Sequence, residues 1–133
     1  MTRRVALLGV LLALTVSRCE SPSGLASRPL SLRLSNAGAD DLAMLLEVAG
    51  ADTTAGIDTV LAAAGSGYRV FAARQARTRW RVIVIGHLAN GVLVTIEVPE
   101  KSPPTDYTGT ILDVANASYA DLQPGSRALT VTP

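Results

Sequence analysis

The side chains able to do covalent, acid–base or metal chemistry are few. Cys19 is the only cysteine and His87 the only histidine among 133 residues. One of each cannot make a zinc-binding set, a disulfide framework or a Cys–His pair backed by an orienting third group. No Gly-x-Ser-x-Gly elbow, phosphate-binding glycine loop or His-x-x-x-His pair occurs. Asp40-Asp41 and the stretch Asp52 to Asp58 offer carboxylates without the regular spacing of a calcium loop, so turn chemistry accounts for them better. His87 remains as the single candidate general base, and its place beside Asn90-Gly91 suits a structural histidine at a strand end. Asn116-Ala117-Ser118 has the form of a glycosylation sequon. The expectation is a non-enzymatic protein with no cofactor and no metal.

The remaining chemistry is that of recognition. Arg69, Arg74, Arg77, Arg79 and Arg81 fall within thirteen residues, and Trp80 lies among them. Guanidinium groups beside an indole suit anionic glycans, phosphates or a partner's carboxylates. Arg77, Arg79, Trp80 and Arg81, together with Lys101, are therefore the candidate binding residues. The competing reading is that arginines on solvated strand ends resist edge-to-edge pairing. With 12 bases against 11 acids the formal charge is +1, which gives no support to nucleic-acid binding.

Position gives Cys19 its meaning. Thr2-Arg3-Arg4 is a short basic segment, and Val5 to Val16 follows without a charge. Twelve residues span about 18 Å as a helix, well short of a hydrocarbon core of about 30 Å. The pattern is that of a cleavable export signal rather than a membrane anchor. Val16-Ser17-Arg18-Cys19 then resembles the lipobox of bacterial lipoproteins, with Arg18 standing where that family has a small residue. The resemblance implies lipidation of Cys19. Glu20 after the cysteine implies outer-membrane sorting under the same family's rule. Glu20 to Ser27, rich in Ser, Pro and Gly, is suited to a flexible tether. The alternative is plain secretion or a periplasmic location, with cleavage after Ser17. Taking Arg3, Arg4 and Arg18 from the 12 bases leaves nine against 11 acids, a mature charge of about −2.

The elements that would carry these residues read as strands. Leu30, Leu32 and Leu34 alternate with polar neighbours, so one face is apolar. Leu42 to Val48 is almost wholly apolar and reads as a strand covered on both sides. Residues 56–64 fit a short strand or a helical stripe, with the strand favoured by its surroundings. Tyr68 to Gln75 and Tyr107 to Ala115 are further strands. Asn90-Gly91 between two β-branched runs predicts a hairpin joining Arg79–Leu88 to Val92–Pro99. That pairing turns Ile83, Ile85 and His87 inward against Val98, Ile96 and Val94. It also places Trp80 on the solvent face opposite Lys101. Tyr119 to Leu122 reads as one helical turn, and Arg127 to Thr132 as the closing strand.

Seven to nine short strands with turns between them predict an all-β fold, a single antiparallel β-sandwich with an aliphatic core. The expected organisation is a signal peptide helix at 1–18, the lipidated cysteine and tether at 19–29, and the domain at 30–133. Leu30-Ser-Leu-Arg-Leu34, Asp41 to Leu46, Arg81 to Gly86 and Gly91 to Val98 resemble the strand pattern of cohesin-like and carbohydrate-binding-module-like domains. That resemblance implies a jelly-roll-type sandwich with a protein or glycan partner. The whole chain is similar to small bacterial lipoproteins that join such a domain to a lipobox, which implies a hold on the membrane through Cys19; the expected state is a monomer. The other role considered is an accessory or inhibitor lipoprotein that docks on an envelope assembly through its Arg/Trp surface.

Overall fold

The computed structural model describes residues 26–118 and 120–133, so the leader, Cys19, most of the tether and Tyr119 lie outside the described residues. The described residues form nine strands: β1 (Ser27–Ser35), β2 (Ala43–Gly50), β3 (Thr59–Ala62), β4 (Arg69–Ala76), β5 (Arg79–Ile85), β6 (Gly91–Pro99), β7 (Tyr107–Ala115), β8 (Asp121–Leu122) and β9 (Ala128–Thr132). They make two antiparallel sheets, one ordered β3-β6-β1-β9 and the other β4-β5-β2-β7-β8. The fold is the β-sandwich that the alternating pattern calls for.

Each central strand contributes one apolar face to the space between the sheets. Leu30, Leu32 and Leu34 of β1 meet Val94, Ile96 and Val98 of β6 in the first sheet. Met44, Leu46 and Val48 of β2 line the second. These side chains are essentially without solvent exposure, and each contributes about 1.5–3 kcal/mol through burial. The core is aliphatic, with Tyr107 the one buried aromatic among the described residues. Gly109 leaves room for it to close: a Cβ there would lie 2.7 Å from Leu32 Cδ1.

The Asn90-Gly91 hairpin does not form. β5 pairs with β4 and β2, whereas β6 pairs with β1 and β3 in the other sheet. Gly86 to Asn90 instead arches from one sheet to the other. Gly86 has φ of 150° and donates its N–H to Leu42 O at 2.9 Å, and Leu88 turns into the core. Asn90 accepts the Ala37 N–H at 2.8 Å through its side chain, which ties the arch to the β1–β2 turn.

The faces of β5 are accordingly reversed from the hairpin reading. Val82 and Val84 are buried, while Ile83 and Ile85 are 41% and 39% exposed on the outer face. The hairpin that β5 does make is with β4, around Arg77-Thr78. Two further expectations are corrected. Leu45 is half-exposed, because among the described residues no layer covers the outer face of the second sheet. Asp121–Leu122 forms the short strand β8 against Val114 and Ala115 rather than a helical turn. The 56–64 segment does contain a strand, β3, and β1 begins at Ser27, within the stretch expected to be tether.

Candidate functional site

The arginine cluster is split by the pleat of β5. Side chains alternate between faces, so Arg79 and Arg81 share the outer face with Ile83, and Trp80 shares the inner face with Val82 and Val84. Trp80 is half-buried against the core, pairs across the ladder with Val48 and Arg74, and donates its indole N–H to Ile57 O at 3.1 Å. The expected pairing of Trp80 with Lys101 does not exist, because Trp80 lies on β5 between β4 and β2, whereas Lys101 follows β6 of the other sheet. Lys101 is exposed in the turn after β6. Arg77 occupies the β4–β5 turn, where its carbonyl accepts the Ile57 N–H at 2.9 Å.

Arg79 and Arg81 straddle Glu47 of β2, with Nε to carboxylate distances of 3.7 and 3.6 Å. Both guanidinium groups are more than half exposed, so these pairs are worth under about 1 kcal/mol each. The structure thus brings Arg79 and Arg81 together around an acid and separates them from Trp80 and Lys101.

A second group of residues gathers at the opposite end, where the β1–β2, β5–β6 and β7–β8 connections meet. Ala39, Asp40, Leu42, His87, Asn116, Ala117 and Ser118 line a shallow cavity of about 340 Å³. His87 also borders an adjoining hollow formed with Ala37, Gly38 and Asn90. Asp40 and His87 are exposed, so the inward His87 of the hairpin reading is corrected. Asn116 holds its loop in shape: its Oδ1 accepts the N–H groups of Ser118 at 2.9 Å and Ala120 at 3.2 Å. The sequon residues therefore act here as a turn.

Asp41 fixes this end. It is 1% exposed, yet it carries a charge, because Arg127 pairs with it through both carboxylate oxygens at 2.6 and 2.7 Å. Gly38 donates a third bond at 2.8 Å. Arg127 Nη1 in turn donates to Gln123 O at 2.7 Å and Pro124 O at 3.1 Å. One fork thereby joins the β1–β2 turn to the β8–β9 turn, 86 residues away. The Arg127 bonds hold the Asp41 carboxyl below its ordinary range, against the opposing effect of burial. The same pairing raises Arg127. The two acids of Asp40-Asp41 therefore part company, one inside holding the scaffold and the other outside at the rim of the cavity.

At the other end, Asp52 accepts bonds from the Thr54 N–H, the Thr54 hydroxyl and the Ala55 N–H at 2.8, 2.6 and 3.2 Å, as a turn-forming aspartate does. Those bonds keep its carboxyl below the usual range, with Thr54 the main cause. Tyr107 donates to Gly56 O at 2.9 Å, and burial pushes its phenol above the ordinary value. Among the described residues, no three His, Cys, Asp or Glu side chains converge as metal ligands would.

Asp41–Arg127 and the gathering of Asp40, His87 and Asn116 escaped the sequence reading. Contacts spanning 86 residues leave no spacing signal, and each residue alone reads as an ordinary turn or surface position. No family model, no curated protein and no solved structure matches this chain.

Proposed function

We propose that this chain is a non-enzymatic lipoprotein of the cell envelope, anchored through Cys19, whose β-sandwich presents a binding surface away from the membrane. The observation that carries the reading is the polarity of the sandwich. The chain enters at one end, where Ala26 O accepts the Glu100 N–H at 2.9 Å and Ser27 pairs with Pro99. The cavity bordered by Asp40, His87 and Asn116 is at the other end, about 30 Å away along the nine residues of β1. A lipid on Cys19 would hold the entry end at the bilayer and leave the loop end free. Loops clustered at one end of a sandwich are a common place for recognition.

The groups around the cavity are a carboxylate, an imidazole, a carboxamide and a hydroxyl. They suit a hydroxyl-rich glycan or the backbone of a protein partner. The role of docking subunit working through Arg77, Arg79, Arg81 and Trp80 has less support, since the indole is committed to Ile57 on the inner face. Photo-crosslinking tests the reading. A photoreactive residue at Ser118 should capture an envelope component in cells, and one at Lys101 should not. Capture from Lys101 alone would place the binding surface at the tether end and reject this orientation.

A further inference from the structure

We propose that the outer face of the second sheet is the contact surface of a symmetric dimer, in which two copies of this chain pack these faces together with both chain entries at the same end. The face is apolar at its centre. Phe71 of β4, Ile83 of β5 and Leu45 of β2 stand in one row across the strands, and Leu112, the extra residue of the β7 bulge, extends it. Phe71 is 57% exposed and Leu112 41%. Large apolar side chains gathered across four strands mark an interaction site, unlike single ones scattered over a surface. With Ile83 and Ile85 turned outward, the monomer expected from the sequence leaves this face in water.

The charges on the face specify its occupant. The ladder registers place the cations Arg69, Arg79 and Arg81 on β4 and β5, and the acids Glu47, Asp113 and Asp121 on β2, β7 and β8. All six point outward by the alternation of their strands. One half of the face is therefore positive and the other negative, and a surface divided in this way is complementary to itself. A two-fold axis parallel to the strands, passing between β5 and β2, lays the positive half of each copy on the negative half of the other. It also keeps every row level with itself. Ile83 then meets Leu45 of the other copy, Phe71 meets Leu112, and Arg81 meets Glu47. Arg69 comes to lie one strand spacing, about 5 Å sideways, from Asp121 of the other copy. Each contact occurs twice, as in any isologous interface.

The same residues oppose other arrangements. An axis across the strands would set the positive half of each copy on the positive half of the other. An axis over β5 would set Arg81 against its own copy, and one over β2 would do so for Glu47. The favoured axis points both chain entries the same way, so two copies held through Cys19 fit one bilayer with both loop-end cavities away from it. Four strands and four rows cover about 500 Å² on each copy, the low end of specific interfaces. The dimer therefore exchanges with monomer in solution.

Sedimentation of the full chain carrying Cys19→Ser tests the proposal without a lipid, so its outcome does not depend on the envelope reading. The chain should form a concentration-dependent dimer. Arg69→Glu and Asp121→Arg should each weaken association at least about tenfold, because each dimer holds the pair twice. The double variant Arg69→Glu/Asp121→Arg should restore it. Within one chain the two residues are four strands apart, about 19 Å, so restoration can come only from contact between copies. A monomer up to millimolar concentration would overturn the proposal. So would a dimer indifferent to the single variants, which would trace association to the leader or to another face. Single variants that weaken the dimer without rescue by the double would reject this axis.

Discussion

Arg127→Ala is the perturbation that most sharply tests how the loop end is built. Asp41 has a fully buried side chain and Arg127 is 13% exposed, so the pair is screened little by solvent. Truncation deletes two charge-assisted bonds to Asp41 and leaves a buried carboxylate with the Gly38 N–H as its remaining partner. Removing one member of such a pair typically costs about 3–5 kcal/mol. The lost bonds to Gln123 O and Pro124 O add little, because Gln123 is exposed and Pro124 O keeps the backbone N–H of residue 127. We expect a loss of about 3 kcal/mol. At a urea slope of about 1.5 kcal/mol/M, this moves the midpoint down by about 2 M. Fluorescence of Trp80, the only tryptophan, supplies the readout.

The acid side distinguishes this mechanism from lost packing. Asp41 is depressed in the folded state, so its contribution is present above its unfolded value near 3.8 and is lost as pH falls through the lower folded value. In Arg127→Ala the unpaired carboxyl is instead raised by burial, and protonation relieves it. The gap between wild type and variant should therefore narrow from pH 7 to pH 3. Arg127→Lys should recover only part of the loss, since an ammonium cannot make the planar fork. A cost below about 1 kcal/mol at pH 7, or a gap that is constant with pH, would refute the reasoning.

Other expectations concern the faces of the second sheet. Val84→Ala should cost about 2 kcal/mol in chemical denaturation, whereas Ile83→Ala should cost less than about 1, since one is buried and the other 41% exposed. The reverse order would restore the Asn90-Gly91 hairpin. Tyr107→Phe should lose about 1 kcal/mol by removing the bond to Gly56 O, and unchanged stability would show that bond to be idle. Trp80→Phe removes the indole N–H to Ile57 O together with part of the ring that packs on the core, so thermal unfolding followed by circular dichroism should show a loss of at least about 1 kcal/mol.

What the sequence made legible follows from the range of each interaction. β1 is readable because Leu30, Leu32 and Leu34 alternate with polar residues over one short window, and β7 because Pro103-Pro104 marks where it can begin. On β5 the turn signal and the strand signal disagree, and the strand prevails. Asn-Gly favours a tight hairpin locally, but Leu88 has a buried place between the sheets, and a tight hairpin would forgo it. The correct face was written in Arg79 and Arg81, whose shared parity with Ile83 and Ile85 puts all four outside. The loop-end site had no such signal, because its residues come from three connections and meet only once both sheets have formed.

The location of the protein is the claim on which the proposed role depends. Metabolic labelling with palmitate, followed by fractionation of the envelope, measures it directly with the wild-type chain and Cys19→Ala. The account predicts label on the wild-type chain in the membrane fraction, and an unlabelled variant released from it. Equal labelling of both chains, or an unlabelled wild-type chain in the soluble fraction, would contradict it.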